Sequence, residues 1–281
     1  MIRIISDSTC DLSKELLEKY KIEVIPLSVN FSDGTSYLDG VDITTEKLYE
    51  LVSEKNELPK TAAIPEIVLE ETFKKYVDLG DDIVFTGISA QMSRTFENAC
   101  LAKEAISTSK IHVVDSMNLS TGIGLLLLKA CKYRDEGDSA EEIALKLEND
   151  RKKVLSQFVI ETMDYLHKGG RCSSTAKFFG TLLKIKPIIT VRDGKMNVAQ
   201  KPIGKVERAL DIMINQIIND KDRLDTDHIF ITHSIALKSR DYIYNKLKDV
   251  FKNVDIISTV AGCVISSHCG QGTIGILYMV K

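Results

Sequence analysis

The chain has 281 residues, 44% of them apolar and 27% charged, with a net charge of −3 at pH 7. That length suits two modest domains or one large one and provides for a sizeable core, and the balance of residue types excludes a disordered chain. The slight negative charge removes the electrostatic basis for gripping nucleic acid or an anionic membrane.

The first half alternates short β-branched runs with stretches of helical spacing. Ile2–Ser8 reads as a strand, and Asp11–Tyr20 follows as a helix that Asp11 or Ser13 can cap. Ile22–Phe31 is again strand-like, and Thr44 or Thr45 starts the next helix. Pro65 suits a first helical residue, with Glu66–Leu79 continuing. Asp82–Ile88 is a strand, Gln91–Ile106 a helix and Lys110–Asp115 a strand; Gly122–Tyr133 and Ser139–Val154 are helices. Strand–helix alternation of this kind gives a mostly parallel sheet covered by helices, an N-terminal α/β domain over residues 1–155.

The second half changes character. Gln157–Thr162 is strand-like, a short helical segment reaches Lys168, and Gly169-Gly170 stops it. Ser173–Leu183 reads as a helix. Pro187–Arg192 and Lys195–Ala199 flank Asp193-Gly194, a strong hairpin signal. Gly204–Asn219 is a helix, His228–Ser234 a strand and Leu237–Phe251 a helix. Asp255–Ala261, Cys263–Ser267 and Thr273–Val280 close the chain as strands. Hairpins mixed with helices predict an α+β domain with a mixed or antiparallel sheet over residues 156–281.

Six cysteines are scattered without a C-x-x-C pair, which fits reduced thiols in a cytoplasmic protein. Zinc is not expected: His228 and His233 lack the spacing and glutamate of a metalloprotease helix. Ile2–Ser8 meets Asp7 at once, so no secretory leader is expected. No apolar run approaches the roughly 18 residues that cross a bilayer, so no stable membrane insertion is expected.

Ligands in open α/β sheets sit beyond the carboxyl ends of strands, and hydroxyl, glycine and charged residues gather there. Ser6-Asp7-Ser8-Thr9 ends the first strand and serves either a ligand or a capping turn. Thr61 precedes the Pro65 helix and can cap it or reach a ligand. Ser93 lies at a helix start, where backbone N–H groups and the helix dipole favour a carboxylate or phosphate, or where it simply caps. Asp115-Ser116 and Ser120-Thr121-Gly122 suit close packing. Lys168-Gly169-Gly170-Arg171 joins conformational freedom to a guanidinium suited to carboxylate or phosphate. His268 stands at the mouth of Gly270-Gln271-Gly272-Thr273-Ile274-Gly275. This formal G-x-G-x-x-G does not open a helix inside a βαβ unit, so a dinucleotide is excluded. A serine esterase acting on acyl esters through Ser93 or Ser173 with His268 is the alternative, although the chain has no G-x-S-x-G elbow.

Taken together, the segments resemble the DegV family along nearly the whole chain. The resemblance rests on Ile5-Ser6-Asp7-Ser8-Thr9-Cys10-Asp11-Leu12, Ile25-Pro26-Leu27, Lys60-Thr61 with Pro65, and Ser89, Ser93 and Thr95. It continues through Val114-Asp115-Ser116, Leu166-His167-Lys168-Gly169-Gly170-Arg171 and His268-Cys269-Gly270-Gln271-Gly272. It implies an N-terminal three-layer α/β domain, a second α/β domain, and a long-chain fatty acid buried between them. It also implies a likeness to the fatty-acid-binding subunit of bacterial fatty acid kinase, a carrier without chemistry of its own. In that system a separate ATP-dependent kinase phosphorylates the bound acid to an acyl phosphate, which feeds phospholipid synthesis. By the resemblance, Thr61 and Ser93 bind the carboxyl group, Arg171 and His268 support it, and this chain carries no metal or nucleotide. Three residues depart from the family pattern: Ala62 stands where serine is usual, Arg94 where glycine is usual, and Gln271 where proline is common.

The chemistry is consistent with that expectation. Burying a methylene contributes roughly 0.8 kcal/mol, so about fifteen of them gain on the order of 12 kcal/mol as an upper bound before the entropy of binding. A carboxyl buried without partners would cost several kcal/mol, and two hydroxyls at one end of an apolar tunnel remove that cost.

Overall fold

The computed structural model describes residues 1–172 and 185–281. Strand β1 (Ile2–Asp7) leads through a tight turn to helix α1 (Lys14–Tyr20), whose start is capped by Ser13 and whose end is closed by Lys21 in the left-handed region. The expected strand over 22–31 is two strands, β2 (Ile22–Ile25) and β3 (Ser28–Asn30), because Pro26 between them has no N–H for a ladder. Strand β4 (Ser36–Leu38) precedes helix α2 (Thr45–Lys55), where Thr44 accepts a hydrogen bond from the Lys47 N–H. Strand β5 (Lys60–Ala62) then places Thr61 in a ladder rather than in a loop or cap. Next come α3 (Glu66–Asp78), β6 (Asp82–Gly87), α4 (Thr95–Ile106), β7 (Ile111–Asp115), α5 (Thr121–Glu136) and α6 (Ala140–Asp150). A capping box between Ser139 and Glu142 starts α6.

The remaining elements are β8 (Val154–Val159), α7 (Asp164–Gly169), β9 (Ile188–Arg192), β10 (Lys195–Gln200), α8 (Val206–Asn219), β11 (Leu224–His233), α9 (Leu237–Leu247), β12 (Asp255–Val260), α10 (Cys263–Cys269) and β13 (Ile274–Val280). Asp193 and Gly194 both have positive φ between β9 and β10, the hairpin turn their dipeptide predicts. The helix expected over Ser173–Leu183 lies outside the described residues.

Two further expectations are corrected. The helix expected from Gln91 begins only at Thr95, because residues 89–94 form a turn in which the Met92 and Ser93 N–H groups bond back to the Ser89 carbonyl. Cys263–Ser267, expected as a strand, is helical. Its β-branched apolar run suits either state, and the groups that cap it come from distant parts of the chain.

Strands β2-β1-β6-β7 form a parallel sheet, β4-β3-β5 a small antiparallel one, and β10-β9-β8-β13-β11-β12 a mixed sheet in which only β11 and β12 run parallel. Helices α3 and α4 pack on one face of the parallel sheet, with α5 and α6 on the other. Helices α8 and α9 cover the outer face of the mixed sheet. Helix α5 touches both large sheets, which explains why every residue from Thr121 to Leu128 is buried: it has no face left for water. Among the described residues no helix is long and apolar enough to cross a membrane.

Candidate functional site

The parallel strands end in turns held by two acids, the buried Asp7 and the half-buried Asp115. Asp7, at the end of β1, accepts the Ile88 N–H at 2.8 Å and the Thr9 N–H at 3.0 Å. Burial pushes its pKa up, and those hydrogen bonds oppose the shift. Asp115, ending β7, accepts the N–H groups of Ala90 (3.1 Å) and Met117 (2.9 Å). These contacts brace the turn over residues 88–94, so the Ser6-Asp7-Ser8-Thr9 segment is occupied by internal bonds.

A cavity of about 200 Å³ lies beyond these strand ends, and all four expected site residues line it: Thr61, Ser93, Arg171 and His268. Its walls are otherwise mainly apolar, among them Leu27, Ile88, Met92, Met196, Val264 and Ile265. A smaller void of about 20 Å³ shares Leu119, Ile265 and Cys269 with it as walls.

Each polar group is delivered by a different element. Thr61 sits in β5 opposite Val29 of β3. Its hydroxyl meets His268 Nε2 at 2.8 Å. His268 is carried by α10, and its Nδ1 is buried with no hydrogen-bond partner among the described residues. Burial, and then the positive charge of Arg171, lower the His268 pKa to about 4, so the ring is neutral at pH 7. Gly169 makes this packing possible, because a Cβ there would collide with Nδ1. Gly170 closes α7 in the left-handed conformation with φ of 67°, and its N–H reaches the His167 and Leu166 carbonyls. Arg171 follows, exposed, with Nη1 donating to the Gly169 carbonyl at 2.7 Å. Ser93 stands two residues before α4 and accepts the Thr95 N–H at 3.3 Å; its Oγ is also 3.1 Å from Thr95 Oγ1. Arg94 also lines the cavity, at its exposed edge, and pairs with Glu97 at 3.0 Å.

His268 therefore engages Thr61, and Ser93 engages Thr95; the structure holds no Ser93–His268 pair. Ser173 lies outside the described residues. The late glycines Gly270 and Gly272 shape a turn from α10 into β13 and open no helix. Among the described residues no group of three metal-ligating side chains gathers. Sequence reasoning missed the apolar walls supplied by Val264 and Ile265 of α10 and by Met196. The signal for α10 was weak, since Val264 and Ile265 alone suit a strand as well.

The profile described as "Uncharacterised protein, DegV family" matches residues 1–281. The chain belongs to the DegV family. It is 35% identical over 285 residues to a DegV domain-containing protein of Clostridium acetobutylicum, covering 100% of this chain and 99% of that protein. Among solved structures, a DegV family protein from Thermus thermophilus described for its fatty acid binding superposes with a TM-score of 0.92 at 26% identity, covering 100% of this chain and 99% of that one. A stearic-acid-binding protein from Eubacterium ventriosum gives a TM-score of 0.86 at 27% identity with the same coverage. As a DegV protein, the chain shares with these two structures its parallel sheet, its mixed sheet and the order of its elements.

Proposed function

We propose that this DegV protein binds a long-chain fatty acid between residues 1–155 and 156–281 and presents its carboxyl group to a separate ATP-dependent fatty acid kinase. The observation that carries the reading is the single cavity in which Thr61, Ser93, Arg171 and His268 gather beside an apolar wall. The fatty acid binding described for both solved relatives supports it.

The neutral His268 donates from Nε2 to Thr61 Oγ1, which leaves the Thr61 hydroxyl hydrogen for a carboxylate oxygen. Ser93 Oγ donates to the same carboxylate. Arg171 supplies the positive charge that favours an anion at the mouth and steadies the charge that develops on phosphoryl transfer. One carboxylate oxygen stays free to attack the terminal phosphorus of ATP held by the kinase, and ADP leaves. The kinase brings the nucleotide and its metal, and the acyl phosphate passes to phospholipid synthesis in the cytoplasm. The acyl chain runs along Met92, Leu119 and Ile265, and the side chains between the two voids part to admit its far end.

Mass spectrometry of lipid extracted from the purified protein tests the first part; absence of a stoichiometric fatty acid, with no uptake of added acid, sinks it. The variant Thr61→Ala with Ser93→Ala leaves the carboxylate without two donors. Each buried group left unpaired costs about 1–3 kcal/mol, so affinity falls by roughly 30-fold or more. Acyl phosphate formation with the kinase at the wild-type rate by that variant refutes the assignment of these hydroxyls.

A further inference from the structure

Helix α10 has seven residues, and Gly262 at its N-cap has no side chain with which to cap it. A helix this short does not hold itself together, because nucleation is unfavourable and its first N–H groups have no partner within it. Here those partners come from the other end of the chain. The Gly262 N–H donates to Asp11 Oδ1 at 2.8 Å, the Cys263 N–H to Asp39 Oδ1 at 2.7 Å and the Val264 N–H to Asp39 Oδ2 at 3.4 Å. Thr45 Oγ1 adds a bond to the Ala261 carbonyl at 2.6 Å. A Cβ on Gly262 would stand 3.1–3.2 Å from the oxygens of both carboxylates, so glycine lets them approach the backbone.

The geometry points to Asp11 and Asp39 as positioning residues that hold α10 by its first N–H groups and so set where Ile265, His268 and Cys269 stand in the cavity wall. Its bearing on the ligand rests on the fatty acid reading above. Both carboxylates are buried, and the positive end of the α10 dipole faces them. Their surroundings are strained in their favour. Asp11 itself has φ of 51°, and Ser120, whose hydroxyl donates to Asp11 Oδ2 at 2.5 Å, has φ of 53°. Non-glycine residues keep such backbones only where the surrounding structure dictates them. The Ser8 hydroxyl supports Asp39 in the same way. Ser8, Asp11 and Asp39 line neither void and Ser120 lines only the smaller one, yet α10 supplies four of the residues that line the larger cavity.

The test compares Asp39→Ala, Asp39→Asn and Asp11→Asn with wild type in the full chain. It uses two readouts: the titration of the His268 ring by NMR, and the release rate of a fluorescent long-chain fatty acid. In wild type His268 stays neutral down to about pH 4. In Asp39→Ala the loosened helix admits water, His268 titrates close to the ordinary value of 6.5, and release accelerates roughly tenfold or more. Asp39→Asn keeps one acceptor for the Cys263 N–H and falls between. If Asp39→Ala does not fold, the two asparagine variants decide by the same readouts. A folded variant that melts earlier while its His268 titrates as in wild type overturns the inference, because an acid that merely stabilises the fold would behave so. If wild type holds no fatty acid, the release readout is lost with the fatty acid reading, and the His268 titration still decides.

Discussion

Gly169→Ala isolates the contact between α7 and α10. Gly169 is the last residue of α7 and its φ is not positive, so alanine there meets no backbone penalty and gains helix propensity of up to about 1 kcal/mol. The cost falls on His268 alone. A new Cβ lies far inside the 3.4 Å at which ordinary contact begins, and the ring has to retreat by about 1 Å to relieve it. It cannot simply slide, because Nε2 on its other edge already sits 2.8 Å from Thr61 Oγ1. The imidazole therefore swings out and the Thr61 contact breaks. Losing one hydrogen bond of this kind is worth about 1 kcal/mol, and losing the orientation of the Thr61 hydroxyl adds a similar amount, so fatty acid affinity falls by roughly 5- to 30-fold. Displacement of a fluorescent fatty acid measures the affinity and thermal melting measures the fold. The expected pair is weaker binding with an unchanged or raised melting temperature. In a His268→Ala background the same glycine change has nothing left to displace and costs little. Wild-type affinity in the single variant, or an undiminished penalty in the double one, refutes the reasoning.

Two further outcomes follow from charge. His268 has a pKa lowered to about 4 from 6.5 by burial and by Arg171, so the unfolded chain binds its proton first; the stability this ring contributes is present above pH 6.5 and is lost as pH falls toward 4, by up to roughly 3 kcal/mol. Asp7, Asp11 and Asp39, whose pKa values burial raises, act in the opposite sense in both proteins, so the difference in denaturation free energy between wild type and His268→Gln isolates the histidine; parallel curves contradict the assignment. Lys129 on α5 bridges Asp225 at 2.6 Å and Asp227 at 2.9 Å at the start of β11, with its side chain 12% exposed. Replacing it by methionine leaves Asp225 without its partner, while Lys132 still pairs with Asp227 at 3.2 Å, and lowers stability by about 1–2 kcal/mol in urea, between the values for exposed and buried pairs. High salt narrows that difference, and its persistence at 1 M salt argues against an electrostatic origin.

The parts of the fold legible in the sequence are those written locally. Ser13, Thr44 and Ser139 announce their helices because a cap acts within three residues. Asp193-Gly194 announces its hairpin because its turn needs two positive φ values. Thr61, Ser93, Arg171 and His268 stood out only as hydroxyls, a glycine-flanked cation and a histidine near strand ends. Spacing left each as readily a cap or a turn; the resemblance to the DegV family singled them out, and the cavity gathers all four. What stayed hidden depends on distance along the chain. The run Cys263-Val264-Ile265 looks like a strand because nothing within ten residues says otherwise, whereas its helical state depends on Asp11 and Asp39. The helix that Gln91 seemed to start waits until Thr95, because Asp7 and Asp115 hold the intervening turn from two other strand ends. The short strand around Thr61 was missed because three residues carry too little periodicity to detect.

The bond from the Cys263 N–H to Asp39 spans 224 positions. A growing chain adds about 5–20 residues per second, so Asp39 is made roughly 11 to 45 seconds before the helix that will cover it exists. During that interval Ile43, Leu48 and Ile64, which the finished protein buries in one core with Cys263 and Val264, lack part of their cover. The N-terminal half is thus born unfinished, and it depends on Cys263 and Val264, made long after it, for the completion of its own interior.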